Sequence, residues 1–413
     1  MSEITALYAD ENGEIFDAPG FGALGCLADT PRELTPKDLI PLPEGADLMY
    51  LPNRQALAKS PEGEILPLVG EAVAAILPAG YTRLYLPACG ESEGAETLPL
   101  YGYTAVALYK DEIYAAALAT DTPERWDPLN YNTRNLKKLI ARTKKDLPRN
   151  PIIEHLANCA LKWHCLTAQN IFYRRWEGGI PVSPNCNARC LGCISLQPSG
   201  CCPSPQERIN FRPTAEEIAA VGVYHLSTAP EAIVSFGQGC DGEPSLEADT
   251  VAEAIGLMRQ KTAKGQININ TNAGFTSGIK KIVTAGLDSM RVSIISANKE
   301  SYGAYYRAGY GLEKVKESVA FALERGVHVS LNLLTMPGFN DREEEIAAWR
   351  EFLRELPVNM AQIRNLNIDP TYFWQTMPKA QGKMLGVRRF LAELREANPR
   401  LTVASFSHYI KKV

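Results

Sequence analysis

Strand and helix patterns alternate along residues 214–366, and this rhythm constrains the fold more than any other feature of the chain. Strand patterns, rich in β-branched and apolar residues, lie at 234–244, 266–274, 289–296, 328–335 and 359–366. Helical patterns lie at 214–226, 247–264, 278–285, 311–325 and 342–355, and the first opens with a capping box, Thr214-Ala-Glu-Glu217. Such alternation predicts parallel strands joined by crossover helices, with ligands gathered at the carboxyl ends of the strands.

A second constraint is a cluster of three cysteines within eight residues, Cys186, Cys190 and Cys193. These gaps let one short loop hold three thiolates around a single metal centre. Closed zinc and iron–sulfur sites ordinarily take four protein ligands, so three thiolates on a cluster would leave one iron open for chemistry. The spacing alone also fits half of a zinc site, which Cys201 and Cys202 could help to complete.

The strand pattern at 234–244 ends in the run Gly237-Gln-Gly-Cys-Asp-Gly-Glu-Pro244. Strands that end in glycine turn sharply and let backbone groups approach a ligand closely. Glu243, taken alone, is typical of a solvated turn residue before proline. The run indicates a functional site only in combination with the cysteines and the strand order.

These features together resemble the radical S-adenosylmethionine (SAM) superfamily over roughly residues 178–370. The resemblance implies an α/β fold, a partial (β/α)6 barrel of the radical SAM type with an N-terminal α+β accessory domain. It implies that Cys186, Cys190 and Cys193 hold a [4Fe-4S] cluster whose open iron binds SAM. Reductive cleavage of SAM would then give a 5′-deoxyadenosyl radical, which abstracts hydrogen from a substrate.

The resemblance also places five residues in contact with SAM. Gly242 and Glu243 match the segment that receives the methionyl amino group, Asn272 follows the third strand, and Ser293 lies on the fourth. Arg307 falls where the family often has a charged residue near the SAM carboxylate. Three asparagines would line the same mouth: Asn270, Asn332 and Asn365. The sequence singles out no catalytic acid, base or hydrogen-relay residue, and it does not indicate whether SAM is consumed or regenerated.

Two positions depart from the family pattern. The residue before the last cysteine of the motif is usually aromatic, and here it is Gly192. Leu191, or a residue from elsewhere, would then have to shield the adenine side. Cys240 lies inside the glycine-rich run, unusually close to the expected SAM site.

Five further cysteines could build an auxiliary iron–sulfur cluster or a metal site: Cys159, Cys165, Cys201, Cys202 and Cys240. The competing interpretation is that they are buried thiols, because free cysteine is often buried and packs like a small hydrophobe. No pair of histidines shows metal-ligand spacing with a carboxylate. A structural role is expected for His164, which stands beside Cys165.

The composition predicts a cytoplasmic protein. A net charge of −4 gives no general attraction to nucleic acid or anionic membrane. No apolar run approaches the length of a membrane helix, and the N-terminus lacks the basic-then-apolar pattern of a secretory signal. Ten cysteines then indicate metal ligands and reduced thiols. The length suggests an accessory domain of unknown role at 1–150, a connecting helical segment at 151–177, and the barrel with a C-terminal extension at 178–413.

The first 150 residues carry short strand patterns separated by proline, glycine and acidic turns. The runs 103–109 and 113–119 predict a β-hairpin, and a polar loop is expected at 121–132. Residues 133–147 predict a helix with six cations: Arg134, Lys137, Lys138, Arg142, Lys144 and Lys145. Such a face attracts phosphate, although solvated helices are often as basic and the interleaved aromatic residues of single-strand binders are absent.

Four functional hypotheses follow. The favoured one is a radical SAM enzyme that modifies a peptide or protein and uses the N-terminal domain for recognition. The alternatives are an RNA-modifying enzyme that uses the basic helix, and a small-metabolite enzyme in which the N-terminal domain only caps the barrel. A non-enzymatic electron-transfer protein is the fourth. The enzymes would need an electron donor such as ferredoxin or flavodoxin.

Overall fold

An antiparallel sheet occupies the N-terminal part of the chain. The computed structural model describes residues 4–98, 100–122, 124–196, 204 and 206–411. Within them the sheet has eleven strands: β1 Thr5–Ala9, β2 Ile15–Leu27, β3 Thr30–Glu33, β4 Leu39–Pro41, β5 Asp47–Lys59, β6 Ile65–Ile76, β7 Tyr81–Arg83, β8 Leu86–Pro87, β9 Cys89–Glu91, β10 Tyr103–Tyr109 and β11 Glu112–Ala119. Their order is β3-β2-β5-β6-β1-β10-β11-β4, while β7 pairs with β11, β8 with β2 and β9 with β5.

The predicted hairpin is confirmed by strands β10 and β11. Tyr109 pairs with Glu112, so Lys110 and Asp111 form a two-residue turn. Both turn residues have positive φ, 54° and 62°, as the tight turns that match the twist of a hairpin require. Glu112, expected in the turn, is instead the first residue of the second strand.

Three helices follow the sheet: α1 Leu136–Asp146, α2 Pro151–Lys162 and α3 Leu166–Tyr173. The sequence sets the start of α2, because the Asn150 side chain accepts hydrogen bonds from the backbone N–H groups of Ile152 and Ile153 and proline fills the first helical position. The predicted basic helix is α1, and its apolar residues Leu136 and Ile140 are buried. The expected polar loop at 121–132 contains one short 3-10 turn at Pro128–Asn130.

A parallel sheet forms the rest of the molecule. Among the described residues it has seven strands in chain order: β12 Glu177–Gly179, β13 Ile233–Phe236, β14 Gln266–Thr271, β15 Ser289–Ile294, β16 His328–Thr335, β17 Met360–Asn365 and β18 Thr402–Ala404. The helices are α4 Ala215–Thr228, α5 Ala248–Lys261, α6 Thr276–Thr284, α7 Lys299–Tyr306, α8 Leu312–Glu324, α9 Glu343–Glu355, α10 Pro370–Thr376 and α11 Val387–Ala397. The predicted partial (β/α)6 barrel is confirmed, and the sheet gains a seventh strand, β18, that the sequence pattern does not predict.

The antiparallel sheet docks on the residues that follow β16 and β17. The fully buried Arg83 of β7 donates hydrogen bonds to the carbonyl oxygens of Tyr101, at 3.0 Å, and of Leu366. Arg54 of β5 forms a buried ion pair with Asp369, at 3.0 Å. Because strands of a parallel sheet point the same way, these contacts place the N-terminal sheet beside the carboxyl-terminal edge of the barrel.

The helices α1 to α3 pack together across the expected boundary at residue 150. Arg174, just after α3, pairs with Asp146 of α1 at 2.9 Å. The division of the chain at residues 150 and 177 stays a prediction. Across the described ranges, no helix combines the length and the apolar character needed to span a bilayer.

The fully buried His225 should make stability depend on pH. His225, on α4, donates from Nε2 to the carbonyl oxygen of Trp176 at 2.7 Å, just before β12. Burial lowers its pKa from 6.5 to about 4. The unfolded chain therefore binds the proton first as pH falls, and the stability due to the neutral ring is lost between pH 6.5 and 4.

We expect His225→Gln to remove this dependence of stability on pH, because the glutamine amide retains an N–H donor but does not titrate. Relative to that variant, the wild-type free energy of unfolding should fall by about 3 kcal/mol across the window, measured by urea denaturation. The variant His164→Asn, at an exposed imidazole, is the control. Parallel pH profiles for wild type and His225→Gln would contradict the prediction.

Candidate active site

The three cysteines of the motif lie in the loop between β12 and α4. Cys186, Cys190 and Cys193 are half-buried free thiols. Burial raises the pKa of Cys186 and of Cys190 above the usual value for a thiol. A metal centre binds thiolates, so binding at this loop would release protons. Three thiols in one loop, with no disulfide between them, form a donor set that fits an iron–sulfur cluster.

The cysteine loop is held against the last turn of α7. The backbone N–H groups of Arg189 and Leu191 donate to the carbonyl oxygens of Tyr306, at 2.9 Å, and of Tyr305, at 3.0 Å. Arg307 ends the helix with a positive φ of 45° and donates from Nε to the carbonyl oxygen of Arg189, at 3.0 Å. The predicted SAM contact Arg307 thus also positions the cysteine loop.

Two side chains place N–H donors near the sulfur atoms. The Asn272 Nδ2 atom lies 4.0 Å from the Sγ atom of Cys186. Arg208 Nη2 lies 3.7 Å from the Sγ atom of Cys193, and the same guanidinium donates to the Ser195 hydroxyl at 2.9 Å. The Arg208 cation opposes the rise that burial causes in the pKa of Cys186. The sequence gives no signal for Arg208.

Asp241 joins the cysteine loop to the glycine-rich run after β13. It is buried, and its carboxylate accepts four backbone N–H bonds. One carboxylate oxygen accepts hydrogen bonds from the backbone N–H groups of Ser183, at 2.6 Å, and Gly242, at 3.0 Å. The other oxygen accepts them from Val182, at 2.9 Å, and Gly237, at 3.1 Å. Burial raises the pKa of Asp241 to about 7, while the amide donors act in the opposite direction. This residue was missed in the sequence, where Asp-Gly resembles an ordinary turn.

Two glycines of this run are fixed by close backbone contacts. A Cβ atom at Gly237, which has a φ of +77°, would lie 1.9 Å from the carbonyl oxygen of Asn270. A Cβ atom at Gly242 would lie 1.9 Å from the carbonyl oxygen of Asn185, the residue before Cys186. Only glycine lets the two loops meet at this distance.

Glu243 is buried, which excludes the alternative interpretation of a solvated turn residue, while its predicted contact with SAM stays a prediction. Its exposed fraction is 2%, and burial raises its pKa. The carboxylate accepts hydrogen bonds from the backbone N–H groups of Ser245, at 3.0 Å, and Asn272, at 2.8 Å, and from the Thr271 hydroxyl, at 2.5 Å. Asn272 in turn donates to the Asn187 side chain at 2.6 Å. Glu243 thus links the glycine-rich run to the end of β14 and, through Asn272, to the cysteine loop.

The other residues predicted to line the SAM site lie on four strands of the parallel sheet. Ser293, on β15, and Asn332, on β16, are neighbours in the strand register and are half-buried. Asn270, on β14, is buried, and its Nδ2 group has no partner among the described residues. Asn365 instead accepts a hydrogen bond from the backbone N–H of Arg83 at 3.0 Å. It therefore serves the docking of the N-terminal sheet.

An aromatic ring from α7 fills the space beside Gly192. A Cβ atom at Gly192 would lie 2.9 Å from the Tyr305 hydroxyl oxygen and 3.3 Å from Leu366 Cδ1. Tyr305 is buried, and so is Leu191. The aromatic residue that the motif lacks is thus replaced at this point by a side chain from elsewhere in the chain.

The inner face of the parallel sheet is polar. Glu177 of β12 accepts hydrogen bonds from the Ser235 hydroxyl at 2.7 Å and from Arg291 of β15 at 3.4 Å. Arg291 also donates to Gln362 of β17 at 3.0 Å. Arg364 is two residues further along β17 and so points to the same side. Burial and the nearby Arg291 lower the pKa of Arg364 to about 10, so it stays charged at neutral pH.

The remaining candidates from the sequence are four cysteines and the basic helix. Cys159 and Cys240 lie together with His155, away from the cysteine loop. Cys201 and Cys202 lie outside the described residues, so their predicted role stays a prediction. The basic helix α1 is exposed on one face, and Lys144 on it pairs with Glu154 of α2. Its predicted RNA role likewise stays a prediction.

Comparison with known proteins identifies the barrel region. Residues 180–350 match the family model of the Radical SAM superfamily. GTP 3′,8-cyclase from Aquifex aeolicus (strain VF5) is 27% identical over 201 residues, which are 47% of this chain and 58% of that protein. GTP 3′,8-cyclase from Chlorobaculum tepidum (strain ATCC 49652 / DSM 12025 / NBRC 103806 / TLS) is 25% identical over 242 residues, which are 56% of this chain and 65% of that protein. The chain thus spans less than two thirds of either relative.

Solved structures include a crystal structure of methylornithine synthase. It matches with a TM-score of 0.38 and 16% sequence identity, and the match covers 65% of this chain and 74% of that one.

The contact at Gly242 predicts a strong effect of one methyl group. In Gly242→Ala the new Cβ atom would meet the Asn185 carbonyl oxygen, and the glycine-rich run and the cysteine loop would have to separate. We expect a loss of about 1–3 kcal/mol in stability. SAM binding to the reconstituted protein, measured by equilibrium dialysis, should weaken at least about tenfold, the equivalent of about 1.4 kcal/mol.

The matched control is Gly256→Ala on α5, where no atom lies within 4 Å of the added Cβ. Alanine in an open helix interior should be neutral or stabilising by about 0.5–1 kcal/mol. If both variants bind SAM as the wild type does, the proposed contact of the two loops does not matter for the site.

Proposed function

The chain belongs to the radical SAM superfamily, as its cysteine motif predicted, and we propose that it acts on a small anionic metabolite. As an enzyme of that superfamily it uses a [4Fe-4S] cluster and SAM, and it needs a reductant. The observation that carries the substrate proposal is the Arg364 guanidinium. Among the described residues, nothing forms a hydrogen bond or an ion pair with this side chain inside the barrel.

Within this proposal, the cofactor residues divide into ligands and positioning groups. Cys186, Cys190 and Cys193 would hold the cluster, which would supply the electron for cleavage of SAM into methionine and a 5′-deoxyadenosyl radical. Gly242 offers close backbone approach. Glu243 fixes the run through three donors, and its Oε2 atom, which takes one of them, can accept a further hydrogen bond from the methionyl amino group.

Three other side chains complete the proposed SAM site. Asn272 lies next to the cysteine loop, and Ser293 lies near the carboxyl end of β15. Arg307 is exposed and uses only Nε on the Arg189 carbonyl oxygen. Its two terminal nitrogens therefore stay available for a carboxylate, a geometry that guanidinium suits well. The proposed electron donor is a small ferredoxin or flavodoxin.

Two arginines give the barrel interior its affinity for an anion. Arg291 is partly neutralised, because it lies 3.4 Å from Glu177. Arg364 is half-buried and forms no ion pair in the described part of the chain, and Glu177 and Asp121 act on it only by longer-range attraction. A guanidinium without a direct partner still gains from a counter-charge that reaches it. A phosphate or carboxylate of the substrate would supply that counter-charge and would be held by the guanidinium.

The position of the N-terminal sheet favours a small substrate over the peptide or protein that the sequence favoured. The sheet is docked through Arg83, which contacts Met336 after β16 and Leu366 after β17, and through Arg54, which pairs with Asp369. One side of the barrel mouth is therefore covered, which helps to exclude water from a radical reaction. The two relatives are named for a reaction of GTP, so a nucleotide is the first candidate.

The first test is SAM cleavage by the anaerobically reconstituted protein with dithionite. We expect 5′-deoxyadenosine from the wild type, together with about four irons of a [4Fe-4S] centre, and neither from Cys186→Ala because the cluster loses one of three ligands. Cys26→Ala, a buried free cysteine in β2, is the control and should retain both. Retention of 5′-deoxyadenosine formation by Cys186→Ala would refute the assignment.

The second test addresses the substrate. Arg364→Gln should bind GTP and inorganic triphosphate about 10- to 100-fold more weakly than wild type, the loss typical of a charge-assisted hydrogen bond. Guanosine binding should not change, and substrate-free SAM cleavage should persist. Arg389→Gln on the outer helix α11 is the control. Equal calorimetric titrations of wild type and Arg364→Gln with both anions would disprove the role of Arg364.

A further inference from the structure

His155, Cys159 and Cys240 form a compact cluster that the proposed function does not use. His155 and Cys159 are one helical turn apart on α2, so their side chains share a face. Cys240 comes from the loop after β13. The His155 Nε2 atom lies 3.2 Å from the Cys159 Sγ atom, and the three ligand atoms all lie within 4.8 Å of one another.

We propose that this cluster binds a single zinc ion, with Cys165 as the fourth ligand. Zinc takes thiolate at about 2.3 Å and imidazole nitrogen at about 2.0–2.1 Å, which puts tetrahedral ligand atoms about 3.5–3.8 Å apart. The cluster needs only small side-chain adjustments to reach that geometry. Its surroundings are dry, because Cys159 is 2% and Cys240 is 3% exposed.

The distances between the three ligand atoms favour a single metal ion over an iron–sulfur cluster. Among the described residues, no other trio of His, Cys, Asp or Glu side chains comes within the same limit, and the motif cysteines are included in that comparison. In a [4Fe-4S] cluster each thiolate binds a different iron, so the thiolate sulfur atoms are spread more widely than around one ion. The trio around Cys159 is the tighter of the two sets.

Cys165 is positioned to complete the site. Its backbone N–H donates to the carbonyl oxygen of Cys159 at 3.1 Å, so the chain turns back over the cluster after α2. Its Sγ atom lies 3.3 Å from the Thr167 hydroxyl, on the first turn of α3. The thiol is near enough to act electrostatically on Cys159 and Cys240 but lies outside their 4.8 Å group, so the proposed ligation requires a rotation about its Cα–Cβ bond. Binding then converts three thiols to thiolates and releases up to three protons to solvent.

The ion would fasten α2 to the loop that approaches SAM. Cys240 directly precedes Asp241, Gly242 and Glu243, and its carbonyl oxygen accepts a hydrogen bond from the backbone N–H of Ile209 at 3.0 Å. A bond from Cys240 to a metal held by α2 would limit motion of the whole run. The site is therefore structural and lies outside the reaction itself.

The test is metal analysis of the anaerobically purified holoenzyme by mass spectrometry. We expect one zinc and about four irons per chain, the irons from one [4Fe-4S] cluster. Cys159→Ser and Cys240→Ser should each lose at least about tenfold in bound zinc, the equivalent of about 1.4 kcal/mol, and retain the iron. Cys26→Ala, again the control, should retain both metals. About eight irons without zinc, or zinc that survives both serine variants, would overturn the proposal.

A second measurement does not depend on the folding of those variants. In the full chain with Cys186, Cys190 and Cys193 replaced by alanine, Co²⁺ should give the intense visible bands of tetrahedral cobalt with thiolate ligands. One equivalent of Zn²⁺ should abolish them. Absence of these bands from a folded protein, judged by circular dichroism, would show that the cluster binds no such ion.

Discussion

The active site depends on the carboxylate of Asp241. Four backbone N–H groups converge on it, two from the segment before the cysteine loop and two from the glycine-rich run. A buried carboxylate without such donors would be unfavourable by several kcal/mol. Because neither loop has regular structure of its own here, this one side chain sets the distance between the cysteine loop and the glycine-rich run.

Polar side chains inside the barrel likewise form hydrogen bonds with one another across the sheet. Outward residues of β15 such as Met290 and Val292 are apolar and fully buried, while the inward Arg291 joins Glu177 and Gln362. Glu177, Arg291 and Gln362 bond to one another, whereas the Asn270 Nδ2 group and the Arg364 side chain have no hydrogen-bond partner among the described residues. The interior is thus a partly satisfied network, and the proposed function assigns its charge at Arg364 to a ligand.

The sequence predicted the barrel well because its signals are local. Periodicity located helices such as α8 and α9 within one residue at each end, and the cysteine spacing located the loop. β12 was not recognised, since three residues with two glycines carry no strand pattern. Asp241 and Arg364 were missed because their importance comes from partners distant in sequence. Of the long strands β5 and β6, which proline and glycine interrupt, only residues 47–51 of β5 were recognised, and β6 was missed.

The docking arginines carry a consequence for synthesis on the ribosome. Arg83 and its carbonyl partner Leu366 are separated by 283 residues, and Arg54 and Asp369 by 315. At roughly 5–20 residues per second, the nascent N-terminal sheet waits roughly 15–60 s with two guanidinium groups that have acceptors only within their own part of the chain, such as Tyr101 for Arg83 and Glu96 for Arg54. During that interval the unfinished chain has to keep them hydrated, so the sheet reaches its final packing only when translation is nearly complete.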